Sequence, residues 1–166
     1  MPTDFLRVLK AFEDGGIRYV LVGGLAVLLH GVDRLTADID LVIDLAPEQA
    51  AKAIEALLAL GLKAGAPVDP RDFSSPAVRR RWREESGLVV LSFWDPQHRC
   101  PTVDLFAEYP MDFETMFNNA VIMPLSGTQV RTASVAHLVQ IKRAAGRPRD
   151  LEDIARLAEL SGDTQP

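Results

Sequence analysis

The stretch from Tyr19 to Asp44, YVLVGGLAVLLHGVDRLTADIDLVID, confines this chain to few folds. The apolar run Tyr19 to Val22 has the length and composition of a buried strand. Gly23 and Gly24 follow at once, removing the side chains that would keep a backbone from closing on an anion. The helix-like run Leu25 to His30 begins at those glycines and turns its positive dipole end toward the same anion. A second apolar run then carries Asp38 and Asp40, two residues apart. On a strand both carboxylates leave one face, while Ile39, Leu41 and Ile43 line the other. Charges interrupt an apolar strand mainly when they are paired or bound to metal. Neighbouring carboxylates resist joint ionisation unless a cation lies between them. Magnesium fits, because it is usually held by carboxylate oxygens together with substrate phosphates.

The rest of the chain alternates helix and strand. Phe5, Leu6, Val8, Leu9 and Phe12 recur at helical spacing and stop at Gly15 and Gly16, predicting a helix that leads into a strand over Ile17 to Val22. Pro47 opens a helix that stops at Gly61. Gly65 to Ser75 reads as a loop and Val78 to Glu85 as a charged helix. Leu88 to Trp94 and Thr102 to Phe106 read as antiparallel strands joined by DPQHRCP, and Val121 to Leu125 with Gln129 to Thr132 as a hairpin. Ser134 caps a helix through Ala145, and Pro148 begins another lasting to Leu160. This is an α/β pattern with a small mixed sheet flanked by helices. At 166 residues and 48% hydrophobic content it predicts one domain, a core over 1–133 with a C-terminal helical extension over 134–166. No GxxxxGK[ST] loop and no GxGxxG after a strand is present.

Asp104 is the third acidic candidate, set within the apolar strand Thr102-Val103-Asp104-Leu105-Phe106. If that strand lies beside Ile39 to Ile43, three carboxylates can surround two cations about 3.5–4 Å apart, the clamp used for in-line nucleotidyl transfer. Asp104 then accepts the acceptor's proton or positions the second metal. Arg34 and Thr36, just before the aspartates, reach phosphate or ribose, or else serve the loop. Lys142 suits a phosphate as a compact charge and Arg149 as a planar fork. Alternatively Lys142, Arg143, Arg147 and Arg149 form a solvated turn balancing Glu152 and Asp153, and Asp150 is a first-turn residue favoured by the helix dipole. Arg79, Arg80, Arg81 and Arg83 with Trp82 make a basic-aromatic patch. It reads as a solvated helix or as a grip on a nucleic-acid backbone with Trp82 stacking on a base. Asp95, His98 and Cys100 occupy one turn rather than a zinc site, and His30 reads as a helix-end residue.

The glycine pair, then Arg34-x-Thr36-x-Asp38-Ile39-Asp40-Leu41, then Asp104, resembles the nucleotidyltransferase superfamily related to DNA polymerase beta. Within it the chain is similar to the small prokaryotic branch that includes AbiEii-type toxins. The segment Lys142-Arg143-Ala144-Ala145-Gly146-Arg147-Pro148-Arg149-Asp150-Leu151-Glu152-Asp153-Ile154 adds to the likeness, since that branch has a helical lysine followed by Arg-Asp-Leu-x-Asp-Ile. The resemblance implies a nucleotidyltransferase fold, with Gly23 and Gly24 cradling the NTP phosphates and Asp38 and Asp40 binding Mg2+. It further implies that Lys142 contacts phosphate and that Asp150 has a catalytic or structural role. Many members carry Gly-Ser where this chain has Gly23-Gly24, and the Gly24 N–H can replace part of the serine contact.

Function is thereby narrowed to two classes. One is an Mg2+-dependent enzyme that moves an NMP from an NTP to a hydroxyl acceptor on tRNA, a protein or a small molecule, as one member of a toxin–antitoxin pair with a cognate partner. The Arg79–Arg83 patch favours RNA. The other is a non-catalytic binding or antitoxin-like protein on the same fold. A net charge of -5 argues against a non-specific DNA coat. A single cysteine, Cys100, suits a reducing compartment. Met1 to Lys10 lacks a basic leader and a cleavage site, and no apolar run approaches the roughly 20 residues that span a bilayer. A cytoplasmic protein without membrane contact is expected.

Overall fold

The computed structural model describes residues 4–162. Helix α1 (Asp4–Asp14) buries Phe5, Val8, Leu9 and Phe12 on one stripe, and the chain reverses after it at Gly16, whose φ of 62° suits only glycine without cost. Strand β1 (Tyr19–Val22), buried throughout, runs directly into α2 (Gly23–Leu29). Then come β2 (Asp38–Ile43), α3 (Pro47–Ala59) and the short β3 (Lys63–Ala64). Helix α4 (Pro76–Ser86) is capped by the Ser75 hydroxyl, which accepts from the Val78 N–H, and stops at left-handed Gly87. Strands β4 (Val90–Trp94) and β5 (Thr102–Phe106), helix α5 (Phe113–Asn118) and the hairpin β6 (Val121–Leu125) and β7 (Thr128–Thr132) follow. Two helices close the described chain, α6 (Val135–Ala145), capped by Ser134, and α7 (Pro148–Leu160).

The seven strands among the described residues join one mixed sheet in the order β3-β4-β5-β2-β1-β7-β6, with β2–β5 and β1–β7 parallel and the other pairs antiparallel. This is the α/β architecture that the alternation predicts. One face of the central strands is wholly apolar: Ile39, Leu41, Leu91, Phe93, Val103 and Leu105 are solvent-free. The opposite face of β2, β5 and β4 carries Asp38, Asp40, Asp104 and Ser92, because side chains alternate along each strand. Helix α2 lies along β1 and β2 and supports α6, against which α7 packs. The end of β1, the middle of β2 and the α6–α7 turn thereby meet around one cavity.

Besides the unpredicted two-residue β3, three features depart from the sequence reading. The span from Gly65 to Ser75 is not all loop: Asp69 accepts from the Arg71 N–H and starts a 3-10 turn over Pro70–Ser74. Helix α5, capped by Asp112, escapes detection because six residues are too few to establish a period. The basic-aromatic patch lacks its aromatic member at the surface: Arg80, Arg81 and Arg83 are exposed, but Arg79 and Trp82 are buried, and Arg79 donates to the Phe73 and Leu45 carbonyls. Its guanidinium ties the 3-10 turn and the residue just past β2 to α4, while Arg80, Arg81 and Arg83 face solvent. Among the described residues no helix is long and apolar enough to cross a membrane.

Candidate active site

The centre of the site follows from strand register. β2 and β5 run parallel with Asp40 opposite Asp104 and Asp38 opposite Thr102, so all three carboxylates leave the same face. From β4, Ser92 stands opposite Asp104 and its hydroxyl donates to Asp104 Oδ1 at 2.6 Å. Asp40 and Asp104 are half-buried and Asp38 is exposed at the rim. Burial, the charge of Asp104 and that of Asp38 push the Asp40 carboxyl up to about 7, offset in part by Lys142 and Arg147. Burial also raises Asp104; Asp38 adds to this, while hydrogen bonds with Ser92 and Asp40 act in the opposite sense.

The two glycines take different parts. Gly23 has φ +70°, and a Cβ there would lie 2.1 Å from Asp40 Oδ2, so the missing side chain is what lets the carboxylate sit against the β1–α2 turn. A Cβ on Gly24 would lie 2.9 Å from Thr36 Oγ1 and 3.1 Å from Arg34 Cζ. The space that a serine would fill at Gly24 is thus held by a hydroxyl and a guanidinium from the loop before β2. The start of α2 has no side-chain cap.

Helices α6 and α7 supply a buried charge network. Lys142 Nζ lies 2.8 Å from Asp153 Oδ2 and 3.6 Å from Asp150 Oδ1. Asp153 also pairs with Arg34, 119 residues away in sequence. Asp150 accepts from the Arg147 backbone N–H and from its Nε at 2.7 Å, closing a capping box at the start of α7. Burial alone would raise Asp150; the Arg147 hydrogen bonds and the nearby Lys142 outweigh it and hold the carboxyl below its ordinary value. Lys142, Asp150 and Asp153 are therefore not a solvated turn, although Arg143 and Arg149 are exposed. The sequence reading missed Asp153, Arg147 and Ser92 as site-forming groups. The spacing of Asp150 and Asp153, which puts both on one face of α7, was the available signal for the first.

A cavity of about 990 Å³ joins these groups, lined by Gly23, Gly24, Arg34, Thr36, Asp38, Asp40, Asp104, Lys142, Arg149 and Asp150 among others. Every residue singled out as catalytic, nucleotide-binding or metal-ligating lines it. His30 and Asp95 lie apart. His30 Nε2 meets the Ala133 carbonyl, and Asp95 accepts from the Gln97 and Arg99 N–H groups, so both serve local structure. The donor set of three carboxylates on one face, whose mutual repulsion and burial raise Asp40 and Asp104, fits a divalent cation. As they stand, no three acidic, His or Cys side chains among the described residues are gathered for one ion, and Asp38 is the exposed one of the three carboxylates.

Residues 5–166 match the family described as "Nucleotidyl transferase AbiEii toxin, Type IV TA system". The chain belongs to this family. It matches no curated protein sequence. Among solved structures, the AbiEii-family chain is similar to the lincosamide antibiotic adenylyltransferase LnuA, at 16% identity and a TM-score of 0.64 over 96% of this chain and 98% of that one. The antibiotic-resistance factor ANT(2″)-Ia is similar at 14% identity and a TM-score of 0.61, over 95% and 82% of the two chains. An antigenic nucleotidyltransferase-like protein from Paracoccidioides brasiliensis is similar at 18% identity and 0.57, over 96% and 76%. These likenesses show a shared nucleotidyltransferase fold. Family membership makes the chain a nucleotidyltransferase.

Proposed function

We propose that the chain transfers an NMP from an NTP to a hydroxyl acceptor with Mg2+ held by Asp38, Asp40 and Asp104, and that this transfer is the toxic activity of a toxin–antitoxin pair. The observation that carries the reading is the β2–β5 register, which sets Asp40 beside Asp104 on the face that opens to Gly23, Gly24 and Lys142. Adenylyl transfer by the similar LnuA and ANT(2″)-Ia folds supports the reaction type, and the family's printed description supports the toxin role.

The phosphates lie against the β1–α2 turn, where Gly24, Thr36 and Arg34 converge, and Lys142 and Arg149 offset their charge. Lys142 is held by Asp150 and Asp153, which fixes its ammonium without occupying all three of its protons. Asp104, turned toward β4 by Ser92, receives the acceptor's proton. Bound Mg2+ would offset the charge on the reacting phosphate and on the departing pyrophosphate. Arg147 and Asp150 hold α7 in place rather than touching substrate.

The test is transfer of label from α-labelled NTPs with Mg2+, together with growth of cells expressing the chain. Asp40→Asn is expected to lower transfer by about a hundred- to a thousandfold, the scale of losing a charge-stabilising group, and to relieve any growth arrest. Equal transfer by wild type and Asp40→Asn refutes the catalytic reading. Growth arrest that persists in Asp40→Asn refutes the toxin role.

A further inference from the structure

The cavity has two unlike sides. Its cationic lining residues, Arg34, Lys142, Arg147 and Arg149, come from the loop before β2 and from the α6–α7 region. The lining residues from β4, β5 and the approach to β4 are Val89, Val90, Ser92, Asp104 and Phe106, with no cation among them. Val90 stands opposite Phe106 and Ser92 opposite Asp104, so the Val90–Phe106 pair lies one alternate step along from the Ser92–Asp104 pair on the same face. Val90 and Phe106 are half-buried, and Val89 is 54% exposed.

In-line transfer places the entering hydroxyl and the departing pyrophosphate on opposite sides of the reacting phosphorus. With the NTP phosphates on the Gly24 and Lys142 side of β2, the entering hydroxyl comes over β5 and Asp104. The body that carries it then rests on Val89, Val90 and Phe106. A polyanionic acceptor would find no cation there to offset its phosphates and would approach three carboxylates. The basic helix offered by the sequence does not change this: Arg80, Arg81 and Arg83 are exposed, but none of its residues lines the cavity. A volume of about 990 Å³ is at the upper end of the roughly 300–1,000 Å³ typical of small-molecule sites, which leaves room beside a nucleotide for a second compact ligand.

We infer that the acceptor is a small neutral or cationic hydroxyl compound with an apolar face, seated on Val89, Val90 and Phe106. The inference rests on the proposed transfer chemistry. The acceptor oxygen bonds to the α-phosphorus, the bond from that phosphorus to the bridging oxygen breaks, pyrophosphate leaves with the electron pair, and the hydroxyl proton passes to Asp104.

The full chain, Mg2+ and each α-labelled NTP are incubated with a bacterial extract divided into RNA, protein and small-molecule fractions. Binding of a non-hydrolysable NTP is measured in parallel. Label is expected in the small-molecule fraction. Phe106→Ser should raise the amount of that fraction needed for half-maximal labelling by about tenfold, the scale set by an apolar pocket contact. NTP binding should stay unchanged, and Phe106→Leu should restore labelling. Label in ribonuclease- or protease-sensitive material overturns the inference, as does small-molecule labelling indifferent to Phe106→Ser. NTP binding with no label in any fraction also overturns it. Absence of NTP binding instead refutes the nucleotidyl-transfer reading itself.

Discussion

At the residue scale the site depends on what Gly23 lacks. A Cβ at this position would fall 2.1 Å from Asp40 Oδ2 and would require a left-handed φ of +70°. Gly23→Ala is therefore expected to push the Asp40 carboxylate off the turn and to destabilise the fold by about 1–2 kcal/mol. NTP binding and the thermal midpoint measured together check this, and both should fall. Asp40 carries the complementary prediction. Its carboxyl is raised to about 7 in the folded chain, against about 4 when unfolded, so the folded state binds this proton more tightly. The stability it contributes is present below pH about 4 and is lost as pH rises through 7. Without Mg2+ the protein should thus be less stable at pH 8 than at pH 5 by roughly 1–2 kcal/mol from this group, after allowance for solvent screening. Asp40→Asn should remove most of that slope and should be the more stable form at pH 8 in denaturant titrations. An unchanged slope would show that burial and the neighbouring carboxylates do not raise Asp40.

At the element scale, the α6–α7 pair is a clamp on the loop before β2. Asp153 receives Lys142 from α6 and Arg34 from that loop, so one carboxylate ties the C-terminal helices to the phosphate side of the cavity. Asp153→Ala leaves two buried cations short of a partner and is expected to cost about 3 kcal/mol. Chemical denaturation measures it, and NTP binding should weaken as Arg34 and Lys142 lose their positions. These contacts explain what could be read from the sequence. Strands β1 and β2 with their glycines and aspartates were legible because local alternation and turn chemistry encode them. Asp104 was legible because a lone charge in an apolar strand needs a reason. Asp153 was not: its significance comes from Arg34, 119 residues away, and only the packing of α7 reveals it. Trp82 and Arg79 misled for the converse reason, since a run of arginines does not disclose which of them turns inward.

Over the whole molecule, one sheet sorts the chemistry. The β1 end and the helices beyond it gather cations, β2 and β5 gather carboxylates in the middle, and β4 with Phe106 presents apolar surface. Such a layout suits a reaction in which a polyanion and a neutral partner meet across a cation. Gly24 fits the layout too: Thr36 and Arg34 already occupy the space that a side chain there would need. Calorimetric titration of wild type and Asp40→Asn with a non-hydrolysable NTP and Mg2+, at pH 7 in two buffers of different ionisation enthalpy, tests the three-carboxylate centre most directly. Wild type should bind with net release of protons as the raised Asp40 carboxyl deprotonates, and Asp40→Asn should show neither the proton release nor the Mg2+-dependent binding. Equal Mg2+-dependent binding by the two proteins, with no proton released, would contradict it.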